Sequence, residues 1–137
     1  MPPVLAVSVL ARRGGAVLLV RRARPPLANL WALPGGRVLP GEALATAAAR
    51  EVLEETGVRV SSLQRLDMVE IIDRDSGGEL NSHYVIVVFS ATVDASPPVP
   101  GDDSAEARWV ALHELADLPL AADTARMLDK YAGVSPR

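Results

Sequence analysis

A mixed β-sheet covered by helices, an α/β chain of the α+β kind, is the fold class this sequence predicts. Three observations carry that reading. Strand-length runs of apolar and β-branched residues recur along the chain. One long stretch, residues 42–56, consists of helix formers with no glycine or proline. Strands and helices interleave irregularly rather than in strict βαβ alternation. The 137 residues, 49% hydrophobic and 23% charged, match the size and composition of one globular domain and exclude a disordered chain. Residues 1–137 are therefore read as a single domain.

Residues 4–10 (VLAVSVL) and 16–20 (AVLLV) are predicted as neighbouring strands joined by a turn at Arg13-Gly14-Gly15. Arg24-Pro25-Pro26 cannot continue a strand, because proline lacks the ladder donor. A loop therefore runs to Trp31, and Pro34-Gly35-Gly36 turns sharply. The helix over 42–56 follows and stops at Gly57, a residue suited to a left-handed C-cap. Residues 63–73 and 82–93 read as a hairpin around Ser76-Gly77-Gly78, and the proline-rich stretch 96–103 reads as a loop. A short strand over 107–111, a helical turn over 112–117 and a closing helix over 122–131 complete the chain. In the closing helix the inward residues are expected to be Ala125, Leu128 and Ala132.

Composition narrows the function classes. A net charge of −3 with no basic stripe argues against nucleic acid as the main partner. Without cysteine there is no disulfide framework, thiolate metal site or cysteine nucleophile. The apolar runs fall far short of the ~20 residues a membrane helix needs, and the first residues lack a basic start. The expectation is a cytoplasmic protein with no membrane partner. His83 and His113 lack metal-ligand spacing and are read as surface or packing residues.

The chemistry concentrates in residues 36–58, GRVLPGEALATAAAREVLEETGV. Glu51, Glu54 and Glu55 stand at i, i+3 and i+4, so a helix projects them from one side. Ala45, Ala49, Val52 and Leu53 are expected on roughly the opposite, buried side. Like charges so placed repel, and the C-terminal end of a helix disfavours negative charge. Helix stability alone would not put three glutamates there. A hard divalent cation with oxygen ligands would relieve the repulsion, and Mg²⁺ is commonly held by carboxylates together with substrate phosphates. Pro34-Gly35-Gly36 allows close approach of a ligand to the backbone, Glu42 opens the segment, and Arg50 precedes the acidic group.

This pattern resembles the box of the Nudix hydrolases: a glycine, five residues, glutamate, seven residues, Arg-Glu, an aliphatic residue, any residue, Glu-Glu, any residue, glycine and an aliphatic residue. Gly36, Glu42, Arg50, Glu51, Val52, Glu54, Glu55, Gly57 and Val58 occupy those positions without departure. Residues 17–22 (VLLVRR), 30–36 (LWALPGG) and 103–115 (DSAEARWVALHEL) are similar to the family's flanking text. The resemblance implies a Nudix-type α/β/α sandwich with a catalytic helix and a C-terminal helix. It implies hydrolysis, with Mg²⁺ or Mn²⁺, of a diphosphate linkage in a nucleoside diphosphate bonded to another group.

Carried over residue by residue, the resemblance makes Glu51, Glu54 and Glu55 metal ligands, with the Gly35 carbonyl as a further one. Glu42 supports the site and Arg50 orients the carboxylates through charge-assisted hydrogen bonds. The general base is Glu54 or an acid on the downstream loop, Asp102, Asp103 or Glu106, with Glu106 preferred. Arg22 and Gly36 are expected to contact phosphate, and Trp31 to stack on a base. The substrate is a small nucleotide: an ADP-ribose-like compound is slightly favoured. The alternatives are a MutT-like nucleoside triphosphate pyrophosphohydrolase, similar in length and in Arg21-Arg22-Ala23, and a non-catalytic nucleotide-binding module. By analogy with the family, a homodimer is expected.

Overall fold

The computed structural model describes residues 2–24, 28–101 and 103–133. Strand β1 (Val4–Arg13) is buried continuously from Ala6 to Ala11. Such a buried run, apolar except for Ser8, belongs to a strand covered on both faces, and β1 is central. It pairs antiparallel with β2 (Ala16–Arg22) and β4 (Gly35–Arg37), and parallel with β6 (Leu80–Val93). Strand β3 (Trp31–Ala32) and strand β7 (Ser104–Ala111) flank β2, while β5 (Val60–Arg74) pairs with β6 and forms the outer edge. The hairpin turn falls on residues 75–79, as glycine at 77 and 78 predicts, with Gly78 at φ 84°.

Two apolar clusters lie on the two faces of this sheet. Helix α1 (Leu44–Thr56) covers one through Ala47, Ala48 and Val52, packed with Val7, Val9, Leu18, Val87 and Phe89. Helix α2 (Ala122–Ala132) and the 3-10 turn at Leu112–Asp117 cover the other, where Leu10, Val17, Leu19, Trp31, Val88, Leu115, Met127 and Leu128 meet. The architecture is the expected α/β/α sandwich. Among the described residues, no helix is long and apolar enough to cross a membrane.

Several element boundaries and faces differ from the sequence reading. Helix α1 begins at Leu44 rather than at residue 42, because Gly41 turns the chain at φ 79° and Ala43 enters in extended geometry. Glu42 lies in that turn. The buried arc of α1 is Ala47, Ala48, Val52 and Thr56, while Ala45 and Leu53 face solvent. It is rotated towards the carboxylates, so Glu51 and Glu55 border the buried surface instead of opposing it. In α2 the buried residues are Thr124, Met127 and Leu128, with Ala125 only half-buried. There the Thr124 hydroxyl accepts the Leu33 N–H at 3.1 Å, a partner in β3's loop that helical periodicity cannot foresee.

Candidate active site

The site forms where α1 crosses β4, and two glycines set the spacing. At Gly35 a Cβ would collide with the Val7 carbonyl of β1, so any side chain would push β4 away. At Gly36 a Cβ would lie 2.5 Å from the Glu51 carboxyl carbon and one of its oxygens. Bare backbone therefore allows the carboxylates of α1 to lie directly on β4.

Arg50 organises the acidic residues beside it. Its guanidinium donates to Glu42 at 2.7 and 3.0 Å, to Glu51 at 2.8 Å, to Glu54 at 3.2 Å and to the Arg37 carbonyl at 3.0 Å. Glu42 in turn accepts the Leu39 N–H at 3.1 Å, closing the loop before α1. The hydrogen bond from Arg50 holds the Glu42 carboxyl below its ordinary pKa. The guanidinium itself is raised, chiefly by Glu42. At Glu51 the balance reverses: partial burial raises the pKa more than Arg50 lowers it.

Glu55 carries the largest consequence of this packing. Burial, followed by the charge of Glu51, pushes its pKa up to about 8, against an opposing hydrogen bond from the Gly35 backbone and the more distant charge of Arg22. A carboxyl at the base of a cleft, facing a second carboxyl, is disfavoured as an anion until a cation joins it.

Glu51, Glu55, Gly35 and Gly36 line a cleft of about 450 Å³ together with Val20, Arg22, Arg24, Arg37, Asp103 and Ser104. Arg22 comes from the end of β2, and Ser104 lies across from it on β7. The ladder slips here: Arg21 pairs with Glu106 and Arg22 with Ser104, leaving Ala105 as the extra residue of a bulge. Such a bulge re-aims the side chains on either side of it. Ser104 consequently shares the cleft with Arg22. Glu106 faces Arg21 instead, which donates to it at 3.0 and 3.1 Å.

Gly101 was not singled out from the sequence. Its N–H donates to the Glu55 carbonyl at 2.9 Å, and a Cβ there would collide with the Glu54 carbonyl. Val99 donates to the Thr56 carbonyl at 2.8 Å, so this loop seals the last turn of α1 and carries Asp103 into the cleft wall. Arg24, Arg37 and Ser104 were likewise not anticipated. Nothing in their local sequence separates them from ordinary surface residues.

Not every expected site residue gathers here. Glu106 is bound to Arg21 and lies outside the residues lining the cleft. Trp31 is only 4% exposed, packed in the α2-side cluster with the Arg108 guanidinium 4.9 Å over its ring. Burial in that cluster leaves its indole no open face for a base. Glu54 is 59% exposed and held by Arg50 rather than turned into the cleft. Asp102 lies outside the described residues.

A divalent cation fits this donor set in part. Glu51, Glu55 and the Gly35 backbone offer hard oxygens at the place where burial makes a second anion costly. Among the described residues, no three carboxylate or histidine side chains stand close enough to hold a metal ion as they are, since Glu54 is turned to Arg50.

Comparison with known proteins decides the relationship. The model of the NUDIX domain family matches residues 2–131. The chain belongs to the Nudix family. This Nudix chain is 33% identical over 129 residues to the ADP-ribose pyrophosphatase of Methanocaldococcus jannaschii, covering 94% of this chain and 73% of that protein. It is 50% identical over 58 residues to the putative 8-oxo-dGTP diphosphatase 2 of Mycobacterium tuberculosis, which covers 42% of this chain and 41% of the other. Among solved structures, the MutT NUDIX hydrolase from Burkholderia pseudomallei superposes with a TM-score of 0.81 at 30% identity, spanning 96% of this chain and 99% of that one. The glycine pair, Arg50 and the acidic end of α1 are thus the Nudix box in three dimensions, and the chain is a Nudix pyrophosphohydrolase.

Proposed function

We propose that this Nudix hydrolase cleaves the diphosphate linkage of a nucleoside diphosphate joined to a second group, with an ADP-ribose-like compound as preferred substrate. The observation that carries the reading is the convergence of Glu51, Glu55, the Gly35-Gly36 backbone and the arginines Arg22 and Arg37 on one cleft. Acidic oxygens beside guanidinium groups suit a polyphosphate bound together with a cation. Support for the ADP-ribose class comes from the M. jannaschii pyrophosphatase, which is similar over nearly the whole chain. The whole of 1–137 would act as one domain.

Mg²⁺, or Mn²⁺, would be held by Glu51, Glu55 and the Gly35 carbonyl, with Glu54 joining once released from Arg50. When bound, it would neutralise diphosphate charge and acidify a water ligand. The chain's own residues would do the rest. Arg22 and Arg37 bind phosphate oxygens, and Gly36 keeps the backbone clear for them. Arg50 fixes the acidic rotamers, braced by Glu42. Asp103 in the cleft wall, rather than Glu106, would take the proton from the attacking water.

A second reading is a MutT-like triphosphate pyrophosphohydrolase, favoured by the 58-residue stretch shared with the M. tuberculosis protein. A panel of ADP-ribose, NADH, diadenosine polyphosphates and common and oxidised nucleoside triphosphates, each with Mg²⁺, distinguishes the two. ADP-ribose should be cleaved fastest, to AMP and ribose 5-phosphate. Preference for a triphosphate, releasing pyrophosphate, would transfer the assignment to the second reading. No turnover of any member would leave a nucleotide-binding module. In the same assay Asp103→Asn should lower kcat more than Glu106→Gln does.

A further inference from the structure

We infer that Thr124 is a positioning residue of the cleft: through the Leu33 N–H it sets where Gly35 stands against Glu55, from the opposite face of the sheet. The inference rests on Gly35 and Glu55 belonging to the diphosphate-cleaving site, and adds what holds the two in place.

A hydroxyl sealed from water costs stability unless it is hydrogen-bonded, and a helix that only docks is better served by an aliphatic residue. Among the described residues, the buried polar side chains are Ser8, Thr56 and Thr124. Thr56 serves its own helix, donating to the Val52 carbonyl at 2.7 Å and accepting the Val58 N–H at 3.1 Å. Thr124 does something else. Only 1% exposed in the first turn of α2, it accepts an N–H from 91 residues away in the chain.

The donor explains the placement. Strand β3 ends at Ala32, and Pro34 has no N–H, so Leu33 carries the single amide donor between β3 and Gly35. Before it, the entry to α2 is stitched to β3: Trp31 donates to the Pro119 carbonyl at 2.8 Å, and Ala121 to the Trp31 carbonyl at 2.9 Å. After it, the Pro34 carbonyl accepts the Val9 N–H at 3.0 Å, and the Gly35 N–H donates to the Glu55 carboxyl. Hydrogen bonds therefore run across the sheet, from α2 on one face to α1 on the other.

Two anchors fix the segment ahead of Gly35: β1 through Pro34, and α2 through Leu33. Without the second, the segment is free to pivot about Val9. Gly35 has no room to absorb that motion, since its backbone already lies where a Cβ would collide with the Val7 carbonyl. A displaced Leu33 thus moves Gly35 relative to Glu55. Groups that hold ligand-bearing atoms from outside a site tune what the site binds.

Amide hydrogen exchange of the metal-free protein tests the tether without catalysis. Thr124→Val keeps the shape and apolar contact but removes the acceptor, whereas Thr124→Ser keeps the acceptor and loses a methyl group. In Thr124→Val the Gly35 N–H should exchange roughly tenfold faster or more, relative to the amide of Val88 in β6. Thr124→Ser and Leu128→Ala should keep the wild-type ratio even where they lower overall stability. The Mg²⁺ concentration that half-saturates the rise in melting temperature should increase roughly tenfold in Thr124→Val. Its kcat should fall as well, and Thr124→Ser should retain both properties.

A wild-type exchange ratio in Thr124→Val, or the same loss in Thr124→Ser or Leu128→Ala, would make Thr124 a packing residue and overturn the proposal. Where the wild type responds to Mg²⁺, an unchanged response in Thr124→Val would overturn it too. A wild type that neither binds Mg²⁺ nor cleaves a diphosphate, with the ratio still lost in Thr124→Val, would instead remove the assigned activity and leave the tether standing.

Discussion

Helices α1 and α2 both stop at a glycine in the left-handed region, Gly57 at φ 72° and Gly133 at φ 71°, and both are entered from an extended alanine with no side-chain cap. Their charges differ. In α2, Asp123 lies in the first turn and Lys130 in the last, each where the helix dipole favours it. In α1 the first turn has no acid and the last has no base, and Glu54 and Glu55 occupy the end where negative charge is disfavoured. Helix α2 is built to dock: Leu128 and Thr124 are sealed beneath it, and Tyr131 and Lys130 fasten its end to Asp67. Helix α1 docks through small residues and carries groups that weaken the apo fold. Carboxyl groups placed against their helix dipole, with Glu55 buried at the cleft, point to binding chemistry rather than stability.

The sharpest test of that contrast is Glu55→Gln. It should lower turnover by several orders of magnitude while far-UV circular dichroism stays unchanged, because Ala47, Ala48 and Val52 hold the helix independently. Wild-type turnover would remove Glu55 from the site. In α2 the corresponding test is Leu128→Ala. Truncating this fully buried side chain should cost about 2–5 kcal/mol in chemical denaturation. The KM of the remaining folded enzyme should barely change.

A third test uses pH. The folded Glu55 carboxyl holds its proton up to about 8, whereas an ordinary glutamate loses it near 4.5. Between those values the unfolded chain binds fewer protons than the folded one, so stability falls as pH rises. The metal-free melting temperature should therefore decline from acidic to mildly basic pH. Glu55→Gln should flatten the decline, and Mg²⁺ should reverse it by binding the native state.

The smallest effect belongs to Asp67, whose carboxyl is held down to about 2, first by Tyr131 and then by Lys130. Its contribution is present above the ordinary 3.8 and is lost as pH falls towards 2. Asp67→Asn should lower the melting temperature slightly at neutral pH and not at pH 2.

Local signals carried much of this. The helix ending at Gly57, the hairpin at Gly77-Gly78 and the loop of prolines before β7 follow from backbone preferences that act within a few residues. The glycine pair and the acidic triplet were legible because helix periodicity and close approach are local rules. Three features were not. The roll of α1, which brings Glu51 and Glu55 to the edge of the buried face, depends on what the sheet offers beneath it. The bulge at Ala105 sends Ser104 to the cleft and Glu106 to Arg21, a one-residue slip that no composition encodes. Trp31 looks the same in sequence whether it stacks on a ligand or fills a core, and only the packed α2-side cluster shows that it fills a core.

By itself, then, the order of residues determined which groups this protein has for its chemistry: carboxylates at helical spacing, an arginine before them and bare glycine backbone nearby. Tertiary structure decided which of those groups meet. Arg50 turns Glu54 away, β4 receives Glu51 and Glu55, and the loop through Gly101 carries Asp103 up to them. The physical reason is range. Hydrogen-bonded periodicity reaches four residues along the chain, whereas burial, strand register and like-charge repulsion depend on neighbours that only folding supplies.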